Sequence, residues 1–348
     1  MKNFAIVGLG AISELHAKAI TSLDGCSLAG GFAQSETARD NFAKKWNSRA
    51  YSDIEAVCAD PKIDIVVVCT PSGAHFEPAM MALSSGKHVI VEKPLEISLD
   101  KCDALVKKAR SSSLLLGSVF QSRFYTSTRL VKEALDRSRF GRLSLVQADV
   151  HWYRSQEYYS ASRWRGNWAL SGGGAYMNQA IHMIDLIRWL IGEPDGFECE
   201  TATLSHDSIE VEDTAVSILR WEGRCLGAIT ATTAAYPGYL KRLKIMGMKG
   251  SIAMEEDRIT EWRFEDETEE DERIKALFGV GSLAGSEVTR FEPEEAAHAR
   301  QYANFLAALE GKEKLLIDGE EARRSVKLVL DLYRSAKKKN LDNMKVRI

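Results

Sequence analysis

Along the first 120 residues, short runs of consecutive apolar residues alternate with stretches whose apolar positions recur at helical spacing. The runs predict strands at Asn3–Val7, Ser27–Phe32, Ile65–Cys69, His88–Val91 and Leu114–Ser118. The intervening periodicity predicts helices at Ile12–Leu23, Ser35–Trp46, Pro78–Ser84 and Leu99–Arg110. IVVVC at Ile65–Cys69 is apolar at every position, as in a parallel strand covered on both faces. Alternating strands and helices predict an α/β, doubly wound parallel sheet.

From Gln121 the texture changes. Longer strands are expected at Arg142–Trp152, Phe197–Leu204, Glu212–Trp221, Cys225–Ala234, Leu240–Met246 and Ser251–Glu255. Helices interrupt them at Ser127–Arg137 and Gly174–Ile191, and two more, Pro293–Leu309 and Gly319–Lys339, close the chain. This pattern predicts a second domain of α+β type, with a large, mostly antiparallel sheet and helices on one side. The expected division is 1–120 and 121–348. Glu255–Glu272 carries eleven acidic residues and reads as a solvated edge or loop. Phe278–Ser286, with three glycines, reads as a loop.

A length of 348 residues agrees with two domains. A net charge of −3 without a basic stripe argues against nucleic acid as a partner. The longest apolar run is far short of the roughly 20 residues that span a bilayer. Met1-Lys2-Asn3 leads straight into a strand with no apolar signal segment, and the expected compartment is the cytoplasm. The six cysteines lack C-x-x-C spacing and several sit in apolar runs, so reduced core thiols are expected and no metal site.

Chemistry concentrates where strands end. Gly8-Leu9-Gly10-Ala11-Ile12-Ser13 follows the first strand and opens the first helix, where a glycine turn and helix amides cradle a pyrophosphate. Ser13 replaces the third glycine of that fingerprint. The second strand runs out at Ala33-Gln34-Ser35 with no carboxylate for a ribose 2′-hydroxyl, and Arg39 lies a helical turn further on. NAD is expected, with NADP open. Thr70-Pro71-Ser72 and His75 follow the third strand and should face the same cofactor. Glu92-Lys93-Pro94 follows the next, and a lysine there is placed for proton transfer or hydrogen bonding.

GLGAIS, TPSGAH, GKHVIVEKP and GGGAYMNQAIHMIDL together resemble the glucose–fructose oxidoreductase/inositol dehydrogenase/MocA family of NAD(P)-dependent oxidoreductases. The resemblance runs on through MGMKGSI to LIDGEEARRSV. It implies an N-terminal Rossmann domain and a C-terminal domain whose open sheet mediates oligomers, as a homodimer or homotetramer. It implies that Lys93 lies between nicotinamide and a reacting hydroxyl. It places the rest of the site on Gly172–Leu190, where His182 joins Lys93 as a catalytic residue and Asn178 and Gln179 contact substrate. The family often has Asp at the position of Asn178, which cannot take a proton. Asp185 is expected to orient His182 from behind, and Gly172-Gly173-Gly174 to let the chain approach a ligand. Asn178 and His182, four apart, should share a helical face.

His151–Trp168 is rich in aromatic and cationic groups, among them Tyr153, Arg163, Trp164 and Arg165, which can stack on sugar faces or grip an anion. Gln121 and Arg123, where the domains join, and Tyr236, after a long strand, are further candidates. The expected function is hydride transfer between nicotinamide and a secondary ring hydroxyl, at C3, of a sugar, glycoside, nucleotide sugar or cyclitol. Two alternatives are a glycoside-cleaving enzyme working through a 3-keto intermediate and a non-catalytic cofactor-binding regulator.

Overall fold

The structure, a computed structural model, describes residues 1–162, 164–281, 291–293 and 295–346. Arg163 and the loop expected at Phe278–Ser286 beyond residue 281 lie outside them. In chain order the elements are β1 (Lys2–Val7), α1 (Ala11–Thr21), β2 (Cys26–Phe32), α2 (Glu36–Trp46), β3 (Arg49–Ala50), α3 (Ile54–Ala59), β4 (Ile65–Val68), α4 (Phe76–Ser84), β5 (His88–Val91), α5 (Leu99–Ser111) and β6 (Leu116–Ser118). They continue with α6 (Thr126–Asp136), β7 (Leu143–His151), α7 (Gln156–Ser160), α8 (Trp168–Ser171), α9 (Ile181–Ile191), β8 (Gly196–Ala202), β9 (Thr214–Trp221) and β10 (Cys225–Thr232). The last are β11 (Arg242–Gly247), β12 (Gly250–Glu255), β13 (Arg258–Phe264), α10 (Glu269–Phe278), α11 (Ala296–Leu309) and α12 (Gly319–Val346).

The chain divides into two compact units, the first comprising Met1–Gln121, Ala169–Gly172 and Pro293–Lys327. Its six parallel strands run in the order β3-β2-β1-β4-β5-β6, a doubly wound Rossmann sheet. The order reverses between β1 and β4, so the ends of these strands form the crevice in which such sheets bind ligands. Two short elements, β3 and α3, are additions to the expected set, because they carry too few residues to show a period. The first unit also takes Pro293–Lys327, which the sequence division assigns to the second domain. The reason is packing: Tyr302 and Phe305 of α11 join Phe4, Ile6, Ala17, Ile20 and Val67 in one buried cluster. At about 25 cal/mol per Å² of apolar surface, that burial outweighs chain order.

The second unit comprises Ser122–Trp168, Gly173–Glu292 and Leu328–Ile348. Its seven strands are ordered β13-β12-β11-β7-β10-β9-β8, antiparallel except where β7 meets β10. β9 alternates buried and exposed positions, and Val216, Ile218 and, on β10, Leu226 stand about half exposed on one face. The acid-rich segment, expected as a solvated edge or loop, forms β13 at the edge of this sheet and the start of α10. Ile259, Trp262 and Phe264 are buried on β13, and the acids cluster in the first turn of α10, where the helix dipole favours them. A capping box between Thr268 and Asp271 starts that helix, and Trp262 Nε1 donates to Asp271 at 2.6 Å.

Candidate active site

In the first unit the glycine fingerprint sits at the crevice. Gly8 has φ +98°, and a Cβ there would lie 2.5 Å from the Cys69 carbonyl carbon at the end of β4. Gly10, the N-cap of α1, carries no side-chain cap, and a Cβ there would meet nothing within 4 Å. The open space beside Gly10 at the start of α1 fits the pyrophosphate of a dinucleotide. The Ser13 hydroxyl turns inward and donates to the Gly10 carbonyl at 2.6 Å. At the end of β2, Ser35 caps α2 by accepting from the Ala38 amide. Arg39 corrects the sequence reading, since its guanidinium folds back and donates to the carbonyls of Ala33 (2.8 Å) and Gln34 (3.2 Å). An arginine does stand beside the end of β2.

The two loops that follow are pinned together. Thr70 Oγ1 donates to the Ala74 carbonyl at 2.8 Å, and Ser72 is buried within the turn that Pro71 opens. His75, a candidate cofactor contact, has both ring nitrogens at 2.8 Å from main-chain carbonyls, of Pro94 and Thr70. Burial pushes its pKa down, and its role here is to bind the Thr70 turn to the Glu92-Lys93-Pro94 turn. Glu92 also points inward, with its carboxylate on His16 (2.8 Å) and on the Lys93 amide (2.9 Å). Lys93 is half-buried, and Gln121, which ends the first segment of this unit, has its side-chain oxygen buried without a partner among the described residues.

In the second unit Ala175–Ala180 is a π-helix, which continues into α9. Its wider i→i+5 turn was invisible in the apolar pattern, and such turns are frequent at functional sites. Asn178 and Gln179 lie in it, and His182 lies in the first turn of α9. Asn178 Nδ2 donates to the Gly173 carbonyl at 2.6 Å. Gln179 is 7% exposed, and its Oε1 has no partner among the described residues. His182 is half-buried beside a cavity of about 10 Å³, room for one water, with Ser122, Tyr125, Lys241 and Glu256 around it.

At each of the three glycines a side chain would collide with the protein itself. A Cβ on Gly172 would meet Ile97 Cγ2 at 2.4 Å, one on Gly173 the Tyr333 hydroxyl at 2.3 Å, and one on Gly174 the Glu212 carbonyl oxygen at 1.7 Å. Glu212 is the residue the sequence did not single out. Its buried carboxylate accepts from the amides of Gly174 and Tyr176 (both 2.9 Å) and from the Tyr333 hydroxyl (2.6 Å), fixing the start of the π-helix. Asp185 is held from another direction as well. It receives Arg123 Nε and Nη2 at 2.8 and 2.7 Å, and both side chains are fully buried.

Much of the aromatic and cationic segment stacks on itself. Arg154 lies over Trp152 and Tyr158, and Arg165 over Tyr158 (4.2 Å) and Trp164 (5.4 Å). Tyr153 and Tyr236 meet edge to face at 5.2 Å, and Tyr236 remains 77% exposed.

Residues 2–120 match the family description "Oxidoreductase family, NAD-binding Rossmann fold", and residues 128–253 match "GFO/IDH/MocA C-terminal domain". The chain belongs to the GFO/IDH/MocA family. It is an NAD-dependent oxidoreductase of the sugar and cyclitol dehydrogenase kind. The WlbA dehydrogenase of Bordetella pertussis, solved in complex with NADH and UDP-GlcNAcA, is 32% identical, with TM-score 0.84 over 97% of this chain and 96% of that one. A second WlbA dehydrogenase, from Chromobacterium violaceum and bound to the same two molecules, is also 32% identical, with TM-score 0.86 over 97% and 94%. The myo-inositol 2-dehydrogenase of Thermotoga maritima is 27% identical over 73% of this chain and 75% of its own length. Among the described residues no helix is long and apolar enough to cross a membrane.

Proposed function

We propose that this family member oxidises, reversibly, the C3 hydroxyl of an acidic nucleotide sugar. The observation that carries the reading is the likeness, at 32% identity over 97% of the chain, to two dehydrogenases solved with UDP-GlcNAcA. NAD, held by the Gly8–Ser13 turn and the amides opening α1, supplies the hydride acceptor. Lys93 takes the proton of the reacting hydroxyl. Asn178, Gln179 and His182 bind and orient sugar hydroxyls, and the orphaned Gln179 oxygen gives one of them an acceptor. Trp164, Arg165, Tyr153 and Tyr236 offer ring faces and a guanidinium fork to the remainder of the substrate.

The test is a panel of UDP-GlcNAcA, uncharged UDP-sugars, free sugars and inositols, followed by the absorbance of reduced nicotinamide with NAD and NADP separately. UDP-GlcNAcA should exceed the inositols in kcat/KM by at least about 100-fold. Preference for an inositol overturns the reading. Run on Arg39→Ala, the same panel should lower the NADP-to-NAD ratio of kcat/KM about tenfold, the worth of one charge-assisted hydrogen bond. An unchanged ratio means that Arg39 serves only the end of β2.

The half-exposed Val216, Ile218 and Leu226 lie on adjacent strands, with Leu226 opposite Arg220 and Ala228 opposite Ile218. We read this face as the surface of a homodimer or homotetramer. Ile218→Lys should lower the mass measured by light scattering to that of a smaller species. A monomeric wild type removes the reading.

A further inference from the structure

Beneath Lys93 lies a cluster that neither the fingerprint nor the proposed chemistry uses. His16 comes from α1, Glu92 follows β5, Cys69 follows β4, and His298 and Tyr302 stand one turn apart on α11. None is more than 8% exposed. His16 Nε2 is 2.8 Å from Glu92 Oε1, and Nδ1 is 2.8 Å from the Tyr302 oxygen. The other carboxylate oxygen of Glu92 accepts the Lys93 amide at 2.9 Å. The His298 ring meets that of His16 edge-on, with centroids 5.4 Å apart.

The ligand atoms of His16, Glu92 and His298 lie within 4.8 Å of one another, a spacing that could suggest a metal. Both nitrogens of His16 already hold protein partners, however, and a metal would have to displace one of them. Charge accounts for the cluster better. Burial alone would push the His16 pKa down, but Cys69 and Glu92 reverse this and the net shift is upward. Burial pushes the Cys69 thiol up, and Glu92 is the carboxylate that His16 meets directly. Burial raises Glu92, yet His16, then Lys93 and His298, more than offset it and hold it at about 2. The raised imidazole and the lowered carboxyl both favour the ion pair.

We propose that His16 and Tyr302 are positioning residues for Lys93, acting through Glu92. The imidazolium donates from Nε2 to Glu92 and from Nδ1 to Tyr302, and Glu92 clamps the Lys93 amide. A lysine that accepts a proton must spend time neutral, and a bare carboxylate one residue away would keep it an ammonium. The buried positive charge on His16 cancels that effect. It sits on the same helix whose first turn receives the dinucleotide, so one rigid element registers both the cofactor and the lysine. This inference rests on Lys93 as the proton acceptor.

The experiment reads the lysine directly, through the pH dependence of its labelling by acetic anhydride, followed by peptide mass spectrometry. It compares wild type, His16→Gln and Tyr302→Phe, each checked for cooperative thermal unfolding. The labelling midpoint of Lys93 should move up by on the order of one pH unit in His16→Gln, and less in the same sense in Tyr302→Phe. The milder Tyr302→Phe keeps the test alive if His16→Gln does not fold. A purely structural cluster would leave the midpoint of Lys93 in place, and an unmoved midpoint in the folded variants overturns the proposal. Turnover of UDP-GlcNAcA by Lys93→Ala is measured in parallel. Wild-type turnover there removes the catalytic reading whatever the midpoints do, and the clamp loses its purpose with it.

Discussion

Replacing Lys93 by alanine is expected to lower kcat by about 10²- to 10⁴-fold, the range that one positioned proton-transfer group supplies. The Kd for NAD should stay within about threefold, because the groups assigned to the pyrophosphate lie at Gly8–Ser13, after a different strand. Lys93→Arg sharpens the result. Arginine keeps the positive charge but does not deprotonate in proteins, so it should be nearly as inactive as alanine if Lys93 takes a proton. Recovery of most of the activity in Lys93→Arg would mean that only the charge matters. Stopped-flow hydride transfer and NAD binding by fluorescence separate these outcomes.

The second large effect concerns stability. Glu212→Ala is expected to destabilise the second unit by about 3–5 kcal/mol, because it strands three buried donors: the amides of Gly174 and Tyr176 and the Tyr333 hydroxyl. Glu212→Gln keeps an acceptor oxygen and should cost less than half as much. The carboxyl pKa is raised by burial, so the native state favours its protonated form. Its contribution is therefore fully present below the unfolded value and lost as the pH rises through the folded one, which makes wild type lose stability upward from about pH 4.5. Glu212→Gln should flatten that part of the curve. Thermal melts of the three proteins between pH 4 and 8 decide it, and a Glu212→Ala midpoint within about 2 °C of wild type refutes the clamp.

Strand ends and helix starts are legible in the sequence because each rests on local chemistry. The run His88–Val91 is observed at its expected bounds, and the Gly8–Gly10 turn sits where a glycine of positive φ is required. The π-helix is not legible, since one added residue in a turn barely disturbs an apolar period. β13 and the start of α10 are masked by their acids, although Ile259, Trp262 and Phe264 mark the buried face. The protein partners of Glu92, His75 and Asp185 are not legible in the sequence for a common reason. Their neighbours in sequence suggest one setting, whereas the decisive partner lies far along the chain, as with Glu92 and His16 or Asp185 and Arg123.

The sequence by itself determined the parallel Rossmann sheet, the mostly antiparallel second sheet, the family, and the strand ends at which the dinucleotide and Lys93 belong. These follow from periodicity and from turn residues whose constraints act over a few positions. Only the tertiary structure decided that α11 packs into the first unit, that the Gly172–Gly174 run yields to Ile97, Tyr333 and Glu212, and that a buried histidine stands behind the Glu92-Lys93 turn. Those features depend on side chains that meet across dozens to hundreds of residues. Burial energies and buried charge pairs are settled by such meetings, and no local pattern records them.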